Sequence, residues 1–299
     1  ILAALHDLAL AGRAPALAAA YAAEDGDAAA GAAIDTLLRM TDAVVAVAGR
    51  RTTQAFEAGR CAVLYPAVAE AARRGGATAV GLVGVASSPG LDSQVDRLGI
   101  TYSDGRSLGD PSSPVQLTSS IVGNRSVPAR AMPEVVARVA VGRDLLDLTD
   151  EDDARWLRAC VAPDQRKRSA QLEAEMALAA TAPPLLLRGD AVDVLPDAVA
   201  RVPDDALPVV TTTWALSQVP LESRLRFLHR LDEAAARRPV AWVSVEGVGV
   251  APAVPTLGDR RASGHSIIGL AVFDGSALRA EALGRCWSRG RMLAWLADP

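Results

Sequence analysis

The sequence predicts an α/β fold: one mostly parallel sheet of about seven strands, ending in an antiparallel hairpin and preceded by a helical subdomain. Three observations carry this. After residue 78, short apolar runs alternate with helical segments, the pattern of successive βα units. The first run, Thr78 to Val85, leads through a small-residue turn, Ala86-Ser87-Ser88-Pro89-Gly90, into a helical stretch, Leu91 to Leu98. Near the end, two apolar runs flank Asp274-Gly275, a hairpin signal.

The elements follow in order. Leu2, Leu5, Leu8 and Leu10, then Ile34, Leu37 and Leu38, recur at helical spacing, with Glu24-Asp25-Gly26-Asp27 as a polar break. A further helix is predicted to carry Gln54, Glu57 and Arg60 on one polar face, then Leu64, Val68 and Ala71, and to stop at Gly75-Gly76. Residues 1–76 thus form the helical subdomain and residues 77–299 a Rossmann-like domain with one continuous core. Residues 101–130 are rich in Ser, Gly, Pro and Asp. They read as an irregular excursion with two short antiparallel strands, Ile100 to Ser103 and Val115 to Ile121. Val135 to Gly142 is the second core strand. Thr149-Asp150-Glu151-Asp152 opens a helix with good capping chemistry, and an amphipathic helix spans Pro163 to Ala180. Leu185 to Leu187, Pro208 to Trp214 and Val240 to Val245 are further strands, separated by helices over 191–202 and 220–237.

Composition narrows the function classes. Half of the 299 residues are hydrophobic and only 4% aromatic, so the core is built from small aliphatic side chains. The formal net charge of −4 does not suit a nucleic-acid binder. Cys61, Cys160 and Cys286 show no metal or disulfide spacing, and His6, His229 and His265 form no ligand pattern, so no metal site is expected. The sparse, odd cysteine count fits a reducing, cytoplasmic setting. No apolar run reaches the ~20 residues that span a bilayer.

In open α/β sheets ligands bind outside the carboxyl ends of the strands. That rule selects Gly84, Ser87, Ser88 and Gly90 after the first strand, Asp144 after the second and Asp190 after the third. It adds Thr212, Thr213, Trp214 and Ser217 after the fourth, and Glu246 after the fifth. Each carboxylate has an alternative role as helix cap or loop anchor. The turn does not fit GxGxxG, so a dinucleotide is not indicated.

Several stretches taken together resemble a bacterial family, domain of unknown function 2332. They are Gly12 to Leu17, Gln54 to Cys61 (QAFEAGRC), Gly109 to Leu117 (GDPSSPVQL), Asp147 to Leu157 (DLTDEDDARWL), Arg188 to Ala191 and Trp242 to Gly247 (WVSVEG). The family is similar in pattern to class I S-adenosylmethionine-dependent methyltransferases, which implies a Rossmann-like methyltransferase fold. The sequence also departs from the family pattern. Leu82 stands where an acid is usual, the turn VGVASSPGLD is longer than the usual VGASAGLN, TNE has become Ala55-Phe56-Glu57, a usual histidine has become Thr212, and the loop at Asp144 is short.

Three functions follow. The leading expectation is an S-adenosylmethionine-independent enzyme of bacterial specialised metabolism. It would promote displacement within one substrate, that is ring closure, with an aziridine-forming cyclase as the nearest type. Glu57, Asp190 and Glu246 are the candidate catalytic carboxylates. Arg50, Arg51, Gln54, Phe56, Arg60, Thr212, Thr213, Trp214 and Ser217 are the candidate contacts to a small-molecule substrate. The second is an S-adenosylmethionine-dependent methyltransferase, with Gly84, Ser87, Ser88, Gly90 and Asp144 holding the cofactor. The third is a non-catalytic subunit of a partner or a homodimer. Cofactor binding is expected to be weak or absent, because Leu82 cannot accept a hydrogen bond and Pro89 lacks a backbone donor.

Overall fold

The computed structural model describes residues 1–54, 58–85, 90–275 and 277–298. In chain order the elements are α1 (Leu2–Leu10), α2 (Pro15–Ala23), α3 (Gly26–Arg39), α4 (Thr41–Arg50), α5 (Cys61–Gly75), β1 (Ala79–Val85), β2 (Gly99–Tyr102), β3 (Ser107–Gly109), β4 (Gln116–Ile121) and β5 (Glu134–Gly142). Then come α6 (Glu151–Ala159), α7 (Arg166–Ala180), β6 (Leu185–Arg188), α8 (Ala191–Ala200), β7 (Leu207–Thr213), α9 (Leu221–Ala235), β8 (Val240–Gly247), β9 (Ser266–Asp274), β10 (Ala277–Trp287) and β11 (Met292–Trp295).

The chain forms two compact units: Ile1–Phe56 with Leu146–Ala180, and Glu57–Leu145 with Thr181–Pro299. The first is helical, α1–α4 with α6 and α7. It is stitched by Arg155 to Asp7 at 3.0 Å, and by the Trp156 indole N–H, which donates to the Thr52 carbonyl at 3.0 Å.

The second unit holds the sheet, in the order β3-β2-β4-β11-β10-β9-β8-β7-β1-β5-β6. Strands β6, β5, β1, β7 and β8 are parallel neighbours, the 3-2-1-4-5 order of a doubly wound fold. β9 and β10 form the antiparallel hairpin predicted at Asp274-Gly275. The central strands are apolar on both faces, as burial under helices requires: every residue of β7 is buried. One face carries a core of Val83, Val141, Leu195, Val210, Phe227 and Trp242.

The structure corrects the sequence reading in four places. The sheet has eleven strands rather than seven. The strands not singled out from the sequence, β3 and β11, are only three and four residues long, too short for an alternating pattern to stand out. β2 and β4 pair in parallel, not antiparallel; β3 supplies the antiparallel partner of β2. Leu91–Arg97 is a run of 3-10 turns rather than an α-helix.

The fourth concerns the helix expected through Gln54. α4 ends at Arg50, Arg51 is extended, and Gln54 lies in irregular chain. Trp156, by taking the Thr52 carbonyl, holds the chain out of helical form there. Helix resumes with a 3-10 turn at Ala58–Arg60, and α5 stops, as predicted, with Gly76 in the left-handed conformation at φ 62°.

Candidate functional site

β1 leaves the sheet towards β5 on one side while β7 lies on its other side, so the strand order reverses between β1 and β7. The carboxyl ends of these two strands are where a doubly wound sheet opens a ligand crevice. Thr213 is the last residue of β7, and Asp92 lies in the 3-10 run that follows β1. The Thr213 hydroxyl donates to Asp92 Oδ2 at 3.1 Å. Arg60, in the turn before α5, sends Nη1 to Asp92 Oδ2 at 3.3 Å and to Thr213 Oγ1 at 3.1 Å. Both charged side chains are nearly closed off from solvent, 9% and 2% exposed.

The guanidinium of Arg60 lies 5.4 Å from the ring centre of Trp214, within cation–π range. Trp214 follows β7 with φ 55°, the left-handed region, which costs a non-glycine residue about 1–2 kcal/mol. Its amide donates to the Val245 carbonyl at 2.9 Å and its indole N–H to Ser266 Oγ at 2.8 Å. Strain of this kind, held by neighbouring bonds, concentrates at functional sites.

Next to Ser266, His265 Nε2 lies 2.9 Å from Asp259 Oδ2, and Arg285 grips the same carboxylate at 2.6 and 3.0 Å. Arg285 first, and His265 with it, hold the Asp259 carboxyl below its ordinary range. Asp92, Asp259, His265 and Arg285 were not singled out from the sequence. Asp92 meets partners 32 and 121 residues away, and Asp259, His265 and Arg285 meet only through the fold of the loop before β9 and its pairing with β10, so no motif spacing announces them.

The predicted carboxylates take anchoring positions. Glu246 is 1% exposed, and its Oε1 accepts the Ala215 and Leu216 amides, each at 3.0 Å. Burial pushes its carboxyl up to about 7, against the pull of these amides and of Ser217 and Thr212. Among the described residues Glu246 Oε2 has no hydrogen-bond partner. Glu246 thereby fixes the loop that presents Trp214. Asp190 caps α8 through the Val192 amide at 2.9 Å and pairs with Arg143 at 2.9 Å. Burial opposes its charge, but the Val192 amide and Arg143 outweigh it, so the carboxyl sits below its ordinary range. Asp144 is exposed.

The remaining candidates divide. Gly84 lies inside β1, and Gly90 has φ 79° with its missing Cβ facing Pro184, so that glycine serves close packing. Thr212 is buried and accepts the Trp242 indole N–H at 3.0 Å. Ser217 is exposed and bonds back to the Trp214 carbonyl. In the helical unit, Arg50 is exposed, Arg51 pairs with Asp153, and the Gln54 amide donates to Cys160 Sγ at 3.4 Å. Phe56, Glu57, Ser87 and Ser88 lie outside the described residues.

No group of metal-ligating side chains occurs among the described residues, and no helix there is long and apolar enough to cross a membrane. Burial pushes the Cys286 thiol up to about 12, which suits a core residue rather than a nucleophile.

Fold and site together define an α/β protein with a doubly wound core and a polar, strained cluster at its switch point. The chain belongs to the family described as "Uncharacterized protein conserved in bacteria (DUF2332)", whose profile matches residues 1–295. No curated protein and no solved structure matches it.

Proposed function

We propose that this chain is a small-molecule enzyme with a methyltransferase-like fold that acts without S-adenosylmethionine and promotes displacement within one substrate, closing a ring of the aziridine type. The observation that supports it is the Arg60–Asp92–Thr213–Trp214 cluster at the β1/β7 switch point. A guanidinium fixed on an aromatic face suits a departing anion. In the proposed step a substrate amine forms a C–N bond to the carbon that bears the leaving group. The carbon–leaving-group bond breaks with its electron pair, and the amine proton passes to a carboxylate, for which Glu57 is the candidate. Cofactor independence draws support from Gly90, whose open side is filled by Pro184.

Titration calorimetry with S-adenosylmethionine and S-adenosylhomocysteine tests this. No measurable heat is expected. A dissociation constant in the low micromolar range would restore the methyltransferase reading, which the 3-2-1-4-5 order favours. A partner-subunit role draws on Ile34, Leu38 and Val45, exposed at 61%, 74% and 58% on α3 and α4. A chain that stays soluble only with a co-expressed partner would favour that role.

A further inference from the structure

At the far end of α5 from Arg60, a second cluster has formed around a buried acid. Glu70 is 1% exposed. Arg73 grips it with two bonds, at 2.9 and 2.6 Å, Arg74 adds one at 2.7 Å, and Arg130 lies 3.4 Å away. Burial alone would raise this carboxyl, yet the Arg73 and Arg74 guanidinium groups hold it below its ordinary range, so it is charged near neutrality. Beside it opens a groove of about 470 Å³, lined by Arg73, Arg74, Arg279, Glu281, Leu270 and Val272. That volume lies within the range of small-ligand pockets.

The sheet register explains the lining. Leu270 pairs with Glu281 and Val272 with Arg279 across β9 and β10, so each pair points to one face. The aliphatic members form the floor and the charged members the rim. The last turn of α5 brings Arg73 and Arg74 over that face. The charges do not cancel. Arg73, Arg74, Arg130 and Arg279 stand against Glu70, Glu281, which pairs with Arg74, and Asp274, which is 3.8 Å from Arg279. One positive charge remains, in a chain whose net charge is −4. Arg279 is 70% exposed and only 3.8 Å from Asp274, so its head can turn towards a ligand, while Arg73, held on Glu70, is 43% exposed and keeps an edge open to the groove.

We propose that this groove is a binding site for a small organic carboxylate: a monoanion whose head meets Arg73 and Arg279 while its apolar body lies on Leu270 and Val272. The site is separate from the switch-point crevice and stands whether or not the proposed reaction is correct.

The test is calorimetric titration of the full chain with naphthoate, with naphthamide as the neutral counterpart and acetate as the head alone. Naphthoate is expected to bind saturably, and more tightly than either control. Raised salt should weaken it, since the rim charges are exposed. Arg279→Glu, at an exposed rim position that leaves the core untouched, should weaken naphthoate about tenfold. Arg226→Glu on α9, an exposed arginine outside the groove, should change nothing. Absence of saturable naphthoate binding at millimolar concentration would overturn the proposal. So would equal binding of naphthamide, or an Arg279→Glu variant that melts and binds as the wild type does.

Discussion

The hydroxyl of Tyr102 on β2 donates to the carbonyl of Ala62 on α5 at 2.7 Å. Pro66 lies inside α5 one turn on and has no N–H to give that carbonyl. Tyr102 supplies the missing donor from outside the helix, which is how the buried first turns of α5 tolerate an internal proline. Tyr102→Phe should therefore leave a buried acceptor unpaired and cost about 1–3 kcal/mol in denaturant unfolding. Pro66→Ala in the same background should recover part of that loss, because it restores the helical donor.

Arg60 and Asp92 form a buried pair, and loss of either removes the opposite charge from beside the other. Arg60→Met and Asp92→Asn should each destabilise by roughly 3–5 kcal/mol. The double variant should be milder than the sum, with a coupling energy of about 1–3 kcal/mol in a double-mutant cycle. Additive losses would show that the pair is not the unit tying the turn before α5 to the β1 and β7 strand ends.

Two buried glutamates should leave opposite marks on the pH dependence of stability. Glu246 is raised from 4.5 to about 7 in the native state. The native chain therefore holds a proton that the unfolded chain has released, and stability falls as pH rises through this window, by roughly 3 kcal/mol. Glu70 is lowered, so its contribution is present above the ordinary glutamate value of 4.5 and is lost as pH falls through its native value. Glu246→Gln should flatten the slope on the neutral side and Glu70→Gln the slope on the acid side. Melting temperatures measured across pH in each variant separate the two.

Gly109, in the GDPSSPVQL stretch, has φ 77°, and a Cβ there would lie 1.9 Å from the Leu98 carbonyl oxygen. That same oxygen accepts the Asp110 amide at 2.9 Å, so it cannot move away without losing a bond. Gly109→Ala should cost about 2–4 kcal/mol, the left-handed penalty plus overpacking, and should loosen β2 and β3 first. Amide hydrogen exchange across residues 99–109 is the measurement.

Much of the parallel core was legible because β7 and β8 are bounded and buried on both faces and stand out, with β5, between helices with clear caps such as Asp150, which accepts the Asp153 amide. β4 was legible as a strand but not in its place in the sheet, because its buried face carries Ser119 as well as Leu117 and the Ser119 hydroxyl is satisfied by the distant Gly290 carbonyl. The strand-end rule led to Thr213 and Trp214, and the three-residue spacing of Gln54, Glu57 and Arg60 led to Arg60. Asp92 was missed because its partners, Arg60 and Thr213, are 32 and 121 residues away in sequence. Glu246 was legible as a strand-end acid, but its loop-anchoring contacts depend on how the chain after β7 folds back.

The helical unit is assembled from Ile1–Phe56 and Leu146–Ala180, with a long stretch of the sheet unit between them. α1 packs on α6, and Asp7 waits for Arg155. On a ribosome that adds ~5–20 residues per second, helices α1 to α4 emerge many seconds before the segment that completes them. During that interval α1 has only α2, α3 and α4 to pack against and Asp7 has no Arg155 to pair with, so the helical unit closes late in synthesis.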